Sequence, residues 1–521
     1  MLVCRQRACP SCLQPVGSRT ALHISTAMKH HASAVVIAFI VAGSSGGTAS
    51  ASNNLPYVFT PSGIGADDSA ALFNALMEHR WVQINGSDIQ INETIELKDA
   101  LCRPLDHLIV EPAPGIPRVT IHTTITRNPD VPTDPRRMPF DFDGTFLPGS
   151  YMLSPSSVGA TTIVIHNPTL LPIAAIPATT CNPASSTGLP FTLGDSVYIN
   201  DTNNYLLNGT LIPADGSAEL RQILAMSNNG NATVLTLDRP LNRPHSAGTI
   251  ASHCQVIQFV TFRHLRFTSE YNPASSNNPL PRGGIHLHNA YRALMEAITS
   301  TRWAGSTLVL LDSGGRENII RDSYATGVRV PSVNAWGIAM EGQELSLIVN
   351  SGATDYTEGI VINYSYNTIA YNSNVHNIIA TSLDVHHDWQ GNPSIDSGFV
   401  GGTVSGGYLG VYIGRKCLNC VADVAISAVK RGVRIGLGAT NTQVLGSVSR
   451  YLTAGVAFEE IDAPGQPSDG AITSSGTYIN ALLDCDSNGR LAFIKGSILA
   501  PGPTSGSTTY YSTGPLFSVC P

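Results

Sequence analysis

Long hydrophobic runs are missing from this sequence of 521 residues: apolar residues make up 42% of the chain but never fill a 20-residue span. We therefore expect no membrane-spanning helix, which needs such a run. Charge is also scarce, since Asp, Glu, Lys and Arg account for only 13%, yet the apolar content is too high for a disordered chain. The formal net charge of −7 argues against a nucleic-acid-binding protein and leaves room for a local basic cleft. Abundant Gly, Asn, Ser, Thr and Val favour many short strands joined by turns.

A disulfide framework is missing as well. Seven of the ten cysteines follow the first 50 residues, and they are scattered: Cys102, Cys181, Cys254, Cys417, Cys420, Cys485 and Cys520. An odd number at wide spacing is not the pattern of a disulfide-stapled domain. Cys417 and Cys420 have the spacing of a zinc or redox pair, but no second pair or histidine stands at zinc spacing. We expect cysteines in turns, bridged or free.

The N-terminal 51 residues have the pattern of a secretory leader. Basic residues from Lys29 to His31 precede the apolar run AVVIAFIVAG, residues 34–43, and Ala49–Ala51 form an A-x-A cleavage site. Met28 is a possible true start, because the residues before it resemble neither signal nor domain. We expect cleavage near Ala51 and a secreted or periplasmic mature protein.

A five-residue unit, Gly-(Ile/Val)-x-apolar-x, recurs in the second half of the chain. It begins at Gly284, Gly337, Gly359, Gly410, Gly432 and Gly455, and TLVLL at Thr307 fits the same frame. Neighbouring units are 22 or 23 residues apart, so each buries its apolar edge only by stacking on the next. Leucine-rich repeats have this length, but their consensus is absent and the units are strand-like throughout. A parallel β-helix is therefore predicted.

The start of the mature chain supports this prediction. Residues 64–97, IGADDSAALFNALMEHRWVQINGSDIQINETIEL, combine a short amphipathic helix capped by Asp67 or Asp68 with strand-like stretches. This segment resembles the N-terminal cap of the pectate-lyase-like right-handed parallel β-helix superfamily of secreted polysaccharide lyases and hydrolases. FTLGDSVYIND and ATVLTLDRPL are also similar to segments of β-helix polysaccharide enzymes and phage tailspikes, although a signal peptide argues against a tailspike.

We predict an all-β protein: a right-handed parallel β-helix with a short N-terminal capping helix and an inserted β-rich subdomain. The expected parts are a leader over 1–51, the cap and first coils over 52–124, the inserted subdomain or long loops over 125–254, coils with a substrate groove over 255–500, and a tail over 501–521.

Strand alternation locates the groove, because the third and fifth residues of each unit point outward. The third column is predicted as His286, Val309, Ala339, Val361, Tyr412, Arg434 and Ala457, and the fifth as His288, Leu311, Glu341, Asn363, Gly414, Gly436 and Glu459. The coil through SLDVHHDWQ adds Asp384 and His386 as outward residues, with His387, Asp388 and Trp389 at the turn.

These residue types suit cleavage of a uronic-acid polysaccharide by β-elimination, which needs a cation, a base and an acid. Arg434 or Arg415 is the candidate cation, His387 or Lys416 the base, and Tyr412 or His386 the acid. Predicted substrate-binding residues are Arg415, Trp389, Asp388, Asp384, Glu341 and His288.

Other interpretations stay open. Hydrolysis needs paired carboxyl groups, for which Asp384, Asp388, Glu341 and Asp312 are candidates. A glycan-binding adhesin, a C5-epimerase, or simple solvated and turn-capping roles for these residues are further alternatives. His286 and His288 have metal-like spacing but no obvious third ligand, and no aspartate cluster supports calcium, so no metal or cofactor is predicted. The expected protein is a monomer whose partner is an acidic polysaccharide.

Overall fold

The computed structural model describes residues 55–97, 106–124, 138–143, 145–166, 191, 193–200, 205–207, 210–212, 219–245, 250–268, 284–301, 307–312, 314–327, 336–387, 393–414, 417–436, 439, 442–446, 448–449, 454–458, 474–478 and 494–498. The predicted leader and tail lie outside these residues. Within them the chain winds into a right-handed parallel β-helix, which confirms the predicted fold class.

Three parallel sheets, A, B and C, form the sides of the helix, and each coil passes through them in that order. Sheet A contains β1 (Tyr57–Phe59), β2 (Trp81–Ile84), β4 (Ile109–Pro112), β16 (Thr261–Arg263), β20 (Leu294–Glu296), β23 (Ile319–Arg321), β26 (Leu347–Val349), β33 (Thr442–Val444), β36 (Ser474–Tyr478) and β37 (Ile494–Ile498). Sheet B contains β3 (Asp88–Ile91), β5 (Val119–Thr123), β17 (Leu265–Thr268), β21 (Thr299–Thr301), β24 (Tyr324–Thr326), β27 (Gly352–Thr354) and β34 (Val448–Ser449). Sheet C contains β6 (Phe140–Asp143), β18 (Ile285–His288), β22 (Val309–Asp312), β25 (Trp336–Glu341), β28 (Glu358–Asn363), β32 (Arg431–Ile435) and β35 (Ala454–Phe458).

In the C-terminal half of the chain, some long strands continue from one sheet into the next without a break at the corner. β29 (Ile369–His386) and β30 (Gly398–Ile413) each run through all three sheets, and β31 (Val421–Ser427) runs through the first two. A short parallel pair, β15 (Ile257–Gln258) and β19 (Ala290–Tyr291), lies beside the main sheets.

The repeated glycine is explained by the close stacking of coils. A Cβ on Gly359 would lie 2.2 Å from the carbonyl oxygen of Ser382 in the next coil, and one on Gly410 would lie 2.4 Å from that of Gly432. No side chain fits at such a distance, so glycine allows the backbones to approach.

Sheet C contains the predicted repeat units, and their inward residues form the core. The second position reads Ile285, Val309, Ile338, Ile360, Leu383, Val411 and Val433, all fully buried. The frame predicted for TLVLL is wrong by one residue, because Val309 pairs with Ile285. Leu310 and Asp312, and not Val309 and Leu311, therefore take the outward positions, as a one-residue slip exchanges the two faces of a strand.

Buried hydroxyl groups at the corners bind one coil to the next. The backbone N–H of Asn318 donates a hydrogen bond to Ser346 Oγ, that of Ser323 donates to Ser351 Oγ, and that of Gln343 donates to Ser365 Oγ, each at 3.1 Å. Small polar residues thus satisfy corner backbone groups that have no strand partner.

The capping helix α1 (Ser69–Glu78) begins after Asp68 and buries Leu72, Ala75 and Leu76. The neighbouring Ala71 is exposed. Asp67, and not Asp68, accepts the backbone N–H of Ser69, at 3.0 Å.

A separate antiparallel sheet lies between β6 and β16 in the sequence, and its strands fall between residues 145 and 255, whereas the insertion was predicted over 125–254. The strands of this segment are β7 (Thr145–Met152), β8 (Thr162–His166), β9 (Ser196–Asn200), β10 (Tyr205–Leu207), β11 (Thr210–Ile212), β12 (Glu219–Asn229), β13 (Ala232–Leu237) and β14 (Ile250–Gln255). The strand order in the sheet is β7-β14-β9-β12-β13-β8, and β10 and β11 form a separate hairpin. The sheet has its own hydrophobic cluster. Buried ion pairs join it to the coils, Arg221 to Glu344 at 2.6 Å and Arg316 to Asp238 at 2.7 Å.

Cys417 and Cys420 are free thiols in the core and are not bridged. Burial raises the pKa of the Cys417 thiol well above its ordinary value, so this side chain packs as a small apolar group. None of the described helices has the length and apolar character needed to cross a bilayer.

Candidate functional site

The outward face of sheet C brings polar residues from successive coils into two columns. The column formed by the third position of each unit consists of Asp141, His286, Leu310, Ala339, Val361, Asp384, Tyr412 and Arg434. The column formed by the fifth position includes His288, Asp312, Glu341, Asn363 and His386. Leu310, Ala339 and Val361 form an apolar patch with Met138. In the third-position column this patch lies between one polar cluster around His286 and another around Asp384. In the fifth-position column the two clusters are neighbours, because Asp312 and Glu341 lie on adjacent strands.

The first group, which we call the carboxylate cluster, comprises Glu341, Glu358, Asp384 and His386. Asp384 Oδ1 and His386 Nδ1 are 2.9 Å apart, and the Asp384 side chain is 6% exposed. Glu341 is held from the next strand, because Asn363 Nδ2 donates to its Oε1 at 2.9 Å. Three carboxyl groups and one imidazole therefore converge on three neighbouring coils.

Crowding of these charges shifts the pKa values of two members. Burial raises the pKa of Glu358 to about 7, and the nearby charge of Asp384 adds to the effect. Burial alone would lower the pKa of His386, but the charges of Asp384, Glu358 and Glu341 outweigh burial and raise it. Glu358 is thus a carboxyl group that can hold a proton near neutral pH, as a general acid in catalysis must.

Aromatic and basic side chains extend the carboxylate cluster along the following coils. The rings of His386 and Tyr412 are 6.4 Å apart, and the Arg434 guanidinium lies 5.6 Å from the centre of the Tyr412 ring. His387 meets His386 edge to face at 6.0 Å. All of these rings are partly exposed, so a ligand can reach them.

The structure places six of the predicted site residues along one stretch of sheet C that runs over four strand steps, from the strand of Glu341 to that of Arg434: Glu341, Asp384, His386, His387, Tyr412 and Arg434. His288 precedes this stretch, two strands before Glu341 and four strands, roughly 19 Å, from His386. Asp388, Trp389, Arg415 and Lys416 lie outside the described residues. Their predicted roles stay predictions.

Glu358 was missed by the sequence prediction because it precedes the glycine of its unit. It pairs with Trp336 on the neighbouring strand, and the same position holds Leu409 and Arg431 in later coils. An acidic residue directly before Gly359 was visible in the sequence. Its direction could not be predicted, because the alternation rule was applied only within the five-residue unit.

The second group, which we call the histidine–aspartate cluster, comprises Asp141, His286, His288 and Asp312. His286 lies between two carboxylates, with Nδ1 3.0 Å from Asp141 Oδ1 and Nε2 3.0 Å from Asp312 Oδ2. Asp312 also contacts His288 Nδ1. Burial opposes protonation of His286, but Asp312 and Asp141 raise its pKa to about 10. The two histidines hold the pKa of Asp312 well below its usual range against the opposing effect of burial.

No protein-family model and no curated protein matches the sequence. Among solved structures, the Gp54 tailspike of Acinetobacter baumannii bacteriophage AP22, in complex with A. baumannii capsular saccharide, aligns at 12% identity and a TM-score of 0.43. That alignment covers 84% of this chain and 66% of the tailspike chain, so the chain spans about two thirds of its length. The tailspike protein gp49 of Pseudomonas phage LKA1 aligns at 14% identity and a TM-score of 0.31 over 75% of each chain. PfbA, a surface adhesin of Streptococcus pneumoniae, aligns at 9% identity and a TM-score of 0.31 over 78% of this chain and 93% of the adhesin. Similarity at these levels concerns the fold alone.

Proposed function

We propose that this protein cleaves a polysaccharide outside the cytoplasm, by hydrolysis at the carboxylate cluster. The observation that carries the proposal is the convergence of Glu341, Glu358 and Asp384 around His386 on the outward face of sheet C. A row of parallel coils also offers an extended surface on which a sugar chain can lie.

Glycoside hydrolysis needs one carboxyl group that donates a proton to the glycosidic oxygen and one carboxylate that activates water or attacks the sugar. Glu358 suits the first role, because its pKa of about 7 keeps the proton on at mildly acidic pH. Asp384 suits the second role, and its contact with His386 orients it. Tyr412, on the next strand, can contact the sugar ring.

β-Elimination is the second candidate, and the adjacent pair of Tyr412 and Arg434 favours it. Arg434 can neutralise the carboxylate of a uronic acid, and Tyr412 can transfer the proton. We place hydrolysis first because the carboxyl groups of the carboxylate cluster, of which Asp384 adjoins Tyr412, would repel an acidic chain. A monomer remains a proposal, and an acidic partner belongs to the elimination candidate.

The test is incubation of the purified protein with neutral and acidic polysaccharides while reducing ends and unsaturated uronic-acid products are measured separately. Hydrolysis predicts reducing ends without unsaturated products, and a fall in activity as pH rises through about 7, where Glu358 loses its proton. Glu358→Gln should remove most activity, whereas Glu96→Gln, at an exposed position, should not.

The outcomes separate the candidates. Unsaturated products that disappear in Tyr412→Phe and Arg434→Ala would replace hydrolysis by elimination. Sugar binding without any cleavage, unaffected by Glu358→Gln, would show an adhesin and refute both enzymes.

A further inference from the structure

We propose that Asp141, His286 and His288 bind one divalent transition-metal ion, with Asp312 orienting both histidines. The site would be a structural clip between two coils. It is independent of the proposed function, since its readout is metal binding.

The three side chains are arranged as ligands of one ion. One ligand atom from each lies within 4.8 Å of the others. Asp141 Oδ1 is 3.0 Å from His286 Nδ1 and 3.9 Å from His288 Nε2. Metal–ligand bonds of about 2.0–2.2 Å place neighbouring ligand atoms roughly 3–3.5 Å apart, so small movements suffice to close the site.

Two of these atoms lack a satisfactory partner. His286 Nδ1 and Asp141 Oδ1 are buried and have no hydrogen bond of acceptable geometry, although they face each other. The His286 side chain is 2% exposed. Buried polar atoms are almost always hydrogen-bonded, whereas these two form only an ion pair of poor hydrogen-bond geometry. A metal ion bound here would replace the proton that this pair holds in the metal-free protein.

Asp312 fixes the two rings from behind. It contacts Nε2 of His286 and Nδ1 of His288, so the opposite nitrogen of each ring faces Asp141. A carboxylate that holds the far nitrogen is the usual support of a metal-binding histidine, because it sets ring orientation and increases ligand basicity.

The ligand set decides the class of ion. Two imidazoles and one carboxylate suit zinc, iron, cobalt, nickel or copper, whereas calcium and magnesium prefer oxygen ligands alone. No third ligand is recognisable near His286 and His288 in the sequence, because Asp141 precedes the inserted sheet and the histidines follow it. An ion would therefore join β6 and β18, the two sheet C strands that flank the longest interruption of the coils.

The test uses tag-free protein stripped with a chelator, followed by titration with Zn²⁺ in a calorimeter and measurement of bound metal. We expect one equivalent of Zn²⁺. Asp312→Asn should weaken binding by about 10–100-fold, and His288→Ala and Asp141→Asn by more. His122→Ala is the matched control, because His122 pairs with Asp88 at 2.8 Å outside the cluster, and it should bind Zn²⁺ like the wild type.

A second measurement does not depend on the folding of variants. Co²⁺ added to the stripped wild type should give an absorption spectrum of a nitrogen-ligated site, which one equivalent of Zn²⁺ abolishes. Absence of stoichiometric binding of Zn²⁺ and Co²⁺ would overturn the proposal and leave a metal-free network of ion pairs. Binding that survives both His288→Ala and Asp141→Asn would overturn it equally.

Discussion

Replacing Glu358 by Gln should make the protein more stable at alkaline pH and leave it nearly unchanged at acid pH. Burial and the charge of Asp384 disfavour the ionised form of Glu358 and raise its pKa to about 7, from 4.5 in an exposed glutamic acid. Gln has a similar shape and stays neutral, so it removes the cost of the buried charge.

The direction follows from proton linkage. The folded state binds the proton more tightly than the unfolded state, so the stability from Glu358 is fully present below pH 4.5 and is lost as pH rises through about 7. The difference between the two pKa values, 4.5 and about 7, lowers the free energy of unfolding at alkaline pH by roughly 3 kcal/mol, at 1.36 kcal/mol for each pKa unit. With an unfolding entropy of about 2.1 cal/mol/K per residue, the melting temperature of a chain of this length rises by roughly 1 °C for each kcal/mol added to its free energy of unfolding. The variant should thus melt roughly 3 °C above the wild type at pH 8.

The assay is thermal unfolding of the wild type, Glu358→Gln and Glu96→Gln at pH 5 and pH 8. Glu96 is exposed, and its variant should follow the wild type at both pH values. Equal melting temperatures for Glu358→Gln and the wild type at pH 8 would refute the reasoning, because they would mean that Glu358 ionises without cost in the folded protein.

Three further predictions concern single substitutions. Gly359→Ala should cost about 1–3 kcal/mol in urea unfolding, since its Cβ would lie 2.2 Å from the Ser382 carbonyl oxygen; an unchanged midpoint would contradict the account of the repeated glycine. Arg221→Ala should cost about 3–5 kcal/mol, because it leaves the carboxylate of Glu344 buried without its ion pair, and a loss under 1 kcal/mol would argue against that pair. Asp384→Asn should lower kcat by about 10²–10⁴-fold with the fold retained by circular dichroism; full activity would exclude Asp384 from the chemistry.

Part of the site was predictable because strands alternate strictly. Asp384 and His386 were placed outward from the sequence alone, and both point outward in the structure. The same reasoning failed at TLVLL, where no glycine marks the frame and Leu308 takes the glycine position. There a slip of one residue put Val309 where Leu310 stands.

Two other site residues could not be predicted from the sequence, for different reasons. Glu358 stands one residue outside the repeat unit, and its raised pKa depends on neighbours from other coils. Asp141 is separated from His286 by the whole inserted sheet, and nothing in the local sequence shows that β6 and β18 pair.

The sequence by itself determined the architecture, since a period of 22 or 23 residues with apolar alternation can bury its core only by stacking coils. It also determined which residues point outward in the units whose frame a glycine marks, because side-chain direction follows position in a strand. Only the tertiary structure decided which charged groups meet across coils, how strongly burial shifts the pKa values of Glu358 and His386, and that Asp141 joins two histidines. These properties depend on distances and solvent exclusion between segments far apart in the chain, and the local sequence does not specify them.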